Sequence, residues 1–166
     1  TADLLVRRAD GTEVRIEEGM RVEANHVYVI PPNVQMALAD GHFHLKPRPD
    51  DRSQYTPIDS FLISLAEHAQ RRAIGVILSG TASDGALGIR EVKAGGGITF
   101  AQKPDTAKYD GMPRAAIATG MVDLVLPPEA IGVKLAQLSG HAYGKNGEKA
   151  GSELPLTDDQ LQELIA

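Results

Sequence analysis

The feature that most narrows the possible folds is a rhythm between Ala73 and Leu138. "AIGVILSG" is a short apolar run without alternation, the pattern of a strand covered on both faces. Helical spacing follows it to about Ala94. "GGGITFAQ" is a second short strand, "KPDTAKYDG" loops out, and Pro113 opens a helix over Arg114 to Ala118. "MVDLVL" is a third strand, and Pro128 to Leu138 a further helix. Strands and helices alternating at this interval imply right-handed crossovers between parallel neighbours. The expected fold is α/β, an open, mostly parallel, doubly wound sheet.

Upstream the pattern differs. "TEVRIEE" alternates as a strand with Val14 and Ile16 on one face, and "HVYVIPPN" is a strand stopped by Pro31 and Pro32. "VQMALADGHFHL" reads as an antiparallel hairpin turning at Asp40-Gly41, with Met36, Leu38, Phe43 and Leu45 apolar. "KPRPDDRSQYTP" is a polar loop, long enough to invite a functional reading. From Pro57, Ile58, Phe61, Leu62, Leu65 and Ala69 recur on one helical face to about Arg72, with Thr56 as the expected cap. "ADLLVRR" fits a helix, or a hairpin arm turning at Asp10-Gly11.

Aromatic residues make up 4% of the 166 residues, so Leu, Ile, Val and Ala must build the core. A net charge of −5 without a basic stripe argues against nucleic acid and against an anionic membrane surface. There is no Cys for a disulfide or thiolate metal site, and no apolar run near the roughly 20 residues of a membrane span. A cytoplasmic location is expected. Residues 139–154 read as a Gly-rich linker, and "LPLTDDQLQELIA" (155–166) as a new helix with a Thr157/Gln160 capping box. The chain does not begin with Met, and an excised or trimmed piece of a longer protein is expected.

The residue that raises a chemical question is Asp84, in "ILSGTASDGALG". It lies beyond the carboxyl end of a buried strand, where open parallel sheets gather function. Its bland role is to cap the helix that follows, a role Ser83 could share. A phosphate loop is disfavoured, because there is no Lys in Walker spacing and an acid repels phosphate. A phospho-accepting Asp needs companion acids at neighbouring strand ends, and "TFAQK" and "LVLPPE" offer no such set. A fourth role is the orienting acid of a Ser-His-Asp triad, and from these residues alone the capping role stays open beside it.

"GVILSGTASDGALGIREVKAGGGITFAQKPDTAKYDGMPRAAIATGMVDLVLPPEAI" closely resembles the catalytic domain of CheB-type chemotaxis methylesterases. The resemblance extends back through "EEGMRVEANHVYVIPPN", the "DG" hairpin and "TPIDSFLISLAEHA", covering about Asp3 to Leu138. "VYVIPPN", "ILSGTASDG" and "GMPRAAIATG" are most similar to methylesterase modules fused to a downstream methyltransferase, and "LTDDQLQELIA" resembles the first helix of that module. The resemblance implies a carboxylic ester hydrolase acting on methylglutamate in the cytoplasmic segments of chemoreceptors, with no cofactor or metal. It assigns Asp84 as the triad acid. The residue matching Thr81 is usually Met in stand-alone members, and that turn is expected to lend a backbone donor.

In the family the serine lies in a Ser-Thr-Gly-Gly turn and the histidine follows the next strand, both upstream of the matching region. Neither is found in this sequence, and "ADLLVRR" then resembles the end of the helix after the histidine, favouring helix over hairpin there. His26, His42, His44, His68 and His141 read as surface or partly packed residues, and the first three offer no metal-ligand spacing. The expectation is a domain truncated at its N-terminus and inactive alone, with exposed apolar surface that a homodimer or domain swap would cover. Arg48 to Tyr55 and Lys103 to Met112 are expected to border the cleft, with Asp110 as a helix N-cap and Arg114 solvated or structural. A non-catalytic docking module that kept the fold is the alternative.

Overall fold

The computed structural model of the chain describes residues 13–24, 26–51 and 55–142. The element order is β1 (Glu13–Arg15), β2 (Val27–Val29), β3 (Val34–Ala39), β4 (His42–Pro47), α1 (Pro57–Ala69), β5 (Ile74–Ile77), α2 (Ala86–Ala94), β6 (Ile98–Gln102), α3 (Gly111–Ala118), β7 (Leu124–Leu126) and α4 (Pro128–Ala142). Strands β5, β6 and β7 form a parallel three-stranded sheet in that order, with Ile77 opposite Ala101 and Ala101 opposite Val125.

Helices cover both faces of this sheet. On one side Ile77 and Ala101 pack with Leu62 and Ala66 of α1, Ile89 and Val92 of α2, and Ala116 of α3. On the other, Ile98 and Phe100 pack with Ile131 and Leu138 of α4. Every residue of β6 is buried, as a central strand of a doubly wound sheet requires. The α/β reading from the sequence therefore holds.

The hairpin is as its residues demand. β3 and β4 pair antiparallel with Leu38 opposite Phe43 and Met36 opposite Leu45. Asp40 (φ +49°) and Gly41 (φ +75°) supply the two positive φ angles of a type I′ turn. The buried face joins Ile16, and Phe61 and Leu65 of α1 pack against it, so α1 lies between hairpin and sheet. β1 and β2 form a separate parallel pair, a pairing the sequence pattern does not reveal.

Two boundaries differ from expectation. α3 starts at Gly111, which puts Pro113 inside the first turn, where its missing N–H is tolerated. α4 continues to Ala142, so residues 139–142, expected in the linker, are helical. The expected helix over 155–166, the rest of the linker and the "ADLLVRR" stretch lie outside the described residues.

Candidate active site

Residues 78–85 carry the chain from β5 to α2. Ala82 stands at φ +66° in this turn, a conformation that costs a non-glycine residue roughly 1–2 kcal/mol. Gly85 stands at φ +97°, and a Cβ there would fall 2.5 Å from Ile77 Cδ1 and 3.0 Å from Ile58 Cγ2. Only glycine lets this turn press against both the strand it leaves and the start of α1.

That approach delivers Asp84 to α1. Its Oδ2 accepts the amide of Ile58 at 3.1 Å and its Oδ1 the amide of Asp59 at 2.9 Å. Asp59, only 5% exposed, returns the favour to the neighbouring helix: its Oδ1 accepts the amide of Gly88, in the first turn of α2, at 2.8 Å. Thr56 and Gly85 occupy the N-cap positions of α1 and α2, yet neither makes a side-chain cap bond. The start of α1 is thus capped by an acid of the turn that leads into α2, and the start of α2 by an acid of α1. The expectation that Thr56 caps α1, and Ser83 or Asp84 caps α2, is corrected. Left-handed Gly85 takes the position before α2, so Asp84 serves α1 instead. The helices come close enough for this because Gly88 has no Cβ, which would lie 2.5 Å from Leu62 Cβ.

Asp84 is half-buried, and no cationic side chain pairs with it among the described residues. A carboxylate offers about four acceptor directions. Two are used here, leaving room for another donor.

The same turn is fastened from its far side. Gln102, at the end of β6 and 5% exposed, accepts the Ser79 amide on Oε1 at 2.8 Å. Its Nε2 donates to the carbonyl and hydroxyl of Thr106 at 3.0 and 3.2 Å. Ser79 Oγ accepts the Tyr109 amide at 3.0 Å. Gly80 donates to the Tyr109 carbonyl at 2.9 Å and accepts from the Met112 amide at 3.0 Å. The Lys103 to Met112 segment therefore lies against the turn that carries Asp84. Thr81 and Ala82 are exposed, and their amides donate to nothing among the described residues.

Asp110 holds the N-cap position of α3 without capping it. Its carboxylate takes Arg114 Nε at 2.6 Å instead, and that bond holds it below the usual carboxylate range. Ahead of α1, the Arg48 guanidinium stacks 4.4 Å from the centre of the Tyr55 ring.

The histidines engage other groups. His26 Nδ1 contacts the Ala24 carbonyl at 2.8 Å, His42 Nδ1 that of Asp40 at 2.8 Å, and His44 Nδ1 meets Glu18 Oε1 at 3.1 Å. None of them bonds Asp84. Among the described residues no cluster of His, Asp or Glu is arranged to hold a metal, and no helix is long and apolar enough to cross a membrane. Sequence reasoning missed Asp59 and Gln102. The available signals were an acid in the first turn of α1 and a polar side chain closing an otherwise buried strand.

A sequence model of the CheB methylesterase family matches residues 1–135. An uncharacterized 104.1 kDa protein of Rhodobacter capsulatus is 44% identical over 135 residues, covering 81% of this chain and 14% of that protein. A protein-glutamate methylesterase/protein-glutamine glutaminase of Myxococcus xanthus is 37% identical over 142 residues, covering 83% of this chain and 41% of its own length. The chain therefore spans less than half of either relative. Among solved structures, the CheB methylesterase catalytic domain of Thermotoga maritima superposes with a TM-score of 0.71 at 30% identity, covering 82% of this chain and 75% of that one. With the family match running through the hairpin, the parallel sheet and the Asp84 turn alike, this chain belongs to the CheB methylesterase family.

Proposed function

We propose that Asp84 is the acid of a Ser-His-Asp triad in a protein-glutamate methylesterase, with the serine and histidine supplied from outside these 166 residues. The observation that carries this reading is a carboxylate beside the carboxyl end of β5, held by two backbone amides and paired with no cation among the described residues. Such a group is rigid, yet keeps acceptor capacity for an imidazole N–H. Its part is to fix the histidine tautomer and stabilise the imidazolium as it forms.

In the proposed reaction the serine oxygen attacks the methyl ester carbonyl of a methylglutamate side chain, and the histidine takes the serine proton. The tetrahedral oxyanion is held by backbone amides, for which the uncommitted N–H groups of Thr81 and Ala82 are suited. Methanol leaves with the proton from the histidine. Water then attacks the acyl-enzyme, freeing the serine and the glutamate carboxylate.

The proposed substrates are the methylated cytoplasmic segments of chemoreceptors, which would place the enzyme in the cytoplasm. The glutaminase named for the M. xanthus relative would follow the same attack on a glutamine amide, with ammonia leaving. The 166 residues alone are proposed to be inactive, since no serine in them is paired with a histidine among the described residues. β5 pairs only with β6 among the described residues, leaving an edge for a further strand from upstream sequence or from a second copy in a homodimer or swap. Residues 155–166 are proposed to open a methyltransferase-like module.

A second reading has its own observation. Because both Asp84 oxygens are engaged by α1, the residue could serve architecture alone, in a docking module without chemistry. Methanol release from methylated receptor by the complete open reading frame separates the two. Asp84→Asn should lower kcat on the order of 10⁴-fold if the residue orients a histidine. Unchanged turnover in that variant leaves Asp84 a cap only.

A further inference from the structure

We infer that Gln102 is a positioning residue for the reaction, acting through Ser79 to hold the backbone of the Asp84 turn against the Tyr109–Met112 segment. This deepens the hydrolase reading above and rests on it.

The argument begins with a polar side chain where the pattern asks for an apolar one. Gln102 ends the fully buried strand β6, and burying an amide without partners is costly. Here both ends of the amide are satisfied. The oxygen takes the Ser79 amide, the first after Leu78 on the way out of β5, and the nitrogen reaches Thr106. An apolar residue could fill the same space, but it would leave the Ser79 N–H without a partner.

From Ser79 the connection runs on through its own hydroxyl to the Tyr109 amide, and through Gly80 to Tyr109 and Met112. The segment 103–112 is therefore tied to the turn at Ser79 and at Gly80, immediately before Thr81 and Ala82. Those two residues carry the uncommitted amides, and Ala82 is held at φ +66°. A left-handed alanine persists only where its surroundings over-determine it. The Gln102–Ser79–Tyr109 chain is the restraint on one side, and the Asp84 bonds to α1 are the restraint on the other. Releasing the first would let Thr81 and Ala82 drift while Asp84 stays anchored. Transition-state stabilisation would then fall more than substrate binding, because an oxyanion is sensitive to donor placement and a docked protein substrate is not.

The test uses the complete open reading frame, with Gln102→Leu, Gln102→Glu and Ser79→Ala assayed for methanol release. Gln102→Leu is expected to lower kcat about tenfold or more, with KM within roughly twofold of wild type. Gln102→Glu keeps an acceptor for the Ser79 amide but sets an oxygen against the Thr106 carbonyl, and should fall less in kcat than Gln102→Leu; an equal or larger fall overturns the part assigned to the Ser79 amide. Ser79→Ala, which deletes only the acceptor for the Tyr109 amide, should show a smaller fall of the same kind. Hydrogen exchange read in parallel should show faster exchange at Gly80, Tyr109 and Met112 in Gln102→Leu. Wild-type kcat in a folded Gln102→Leu, or a loss carried by KM alone, overturns the inference. If Gln102→Leu does not fold, unchanged kcat and exchange in Ser79→Ala overturns it. Failure of the wild-type protein to release methanol sinks the hydrolase reading instead, and unchanged exchange in the variants then sinks the positional claim separately.

Discussion

The two ends of the sheet carry the same device and use it differently. At the amino end Asp123, just before β7, accepts the amide and hydroxyl of Thr99 on Oδ2 at 2.9 and 3.0 Å. Its other oxygen takes the Lys93 ammonium. At the carboxyl end Asp84 instead accepts a backbone amide on each oxygen, and no cation meets it among the described residues. Asp123 is a neutralised joint between α2, β6 and β7. Asp84 is equally fixed but has no such counter-ion among the described residues; in the proposed triad its partner is an imidazole. Rigid placement is common to both carboxylates; the lack of a counter-ion among the described residues is what favours the proposed role for Asp84.

The strongest way to break this contrast is to remove each acid in turn. Asp84→Asn should cost on the order of 10⁴-fold in methanol release by the complete protein. Asp123→Ala should leave kcat essentially unchanged while stranding the fully buried Thr99 amide, lowering unfolding free energy by about 2–3 kcal/mol in urea titrations. Comparable losses of activity in both variants would erase the distinction.

A smaller effect tests how the carboxyl end is assembled. Gly85→Ala forces a Cβ into Ile77 and Ile58 at an unfavourable φ, and should destabilise the fold by roughly 3 kcal/mol by chemical denaturation. Wild-type stability would mean that the turn has slack, and that Asp84 is held less firmly than Asp123.

The smallest effect lies in the hairpin. The Leu45 amide, and then His44, hold Glu18 below its ordinary value of 4.5. A depressed carboxylate contributes stability above that ordinary value and loses it as pH falls through the lowered one. Glu18→Gln should therefore flatten the acid limb of the stability profile slightly and leave neutral-pH activity intact. A change in activity would tie the hairpin to the cleft and blur the contrast between the ends.

Much of this architecture is legible in the chain because its signals are local. The unbroken apolar strands, the Asp40-Gly41 turn and the Pro57 helix start depend on neighbours a few residues away. The caps were misassigned for the opposite reason. Thr56 and Ser83 have the right chemistry at the right spacing, but Asp84 and Asp59 act across 25 and 29 residues of sequence, through a contact that Gly85 and Gly88 permit. Gln102 was passed over similarly, since its partners Ser79 and Thr106 lie on two different connections. The parallel pairing of β1 with β2 carries no turn signature at all.

The crossed caps of α1 and α2 bear on how the domain folds. Neither helix completes its first turn by itself, because α1 is capped from the turn leading into α2 and α2 is capped from α1. A partly formed chain with only one of the two docked leaves bare N–H groups on both, so intermediates are penalised and formation of the pair becomes all-or-none. Asp84 would then reach its place at the start of α1 only when that whole unit has come together.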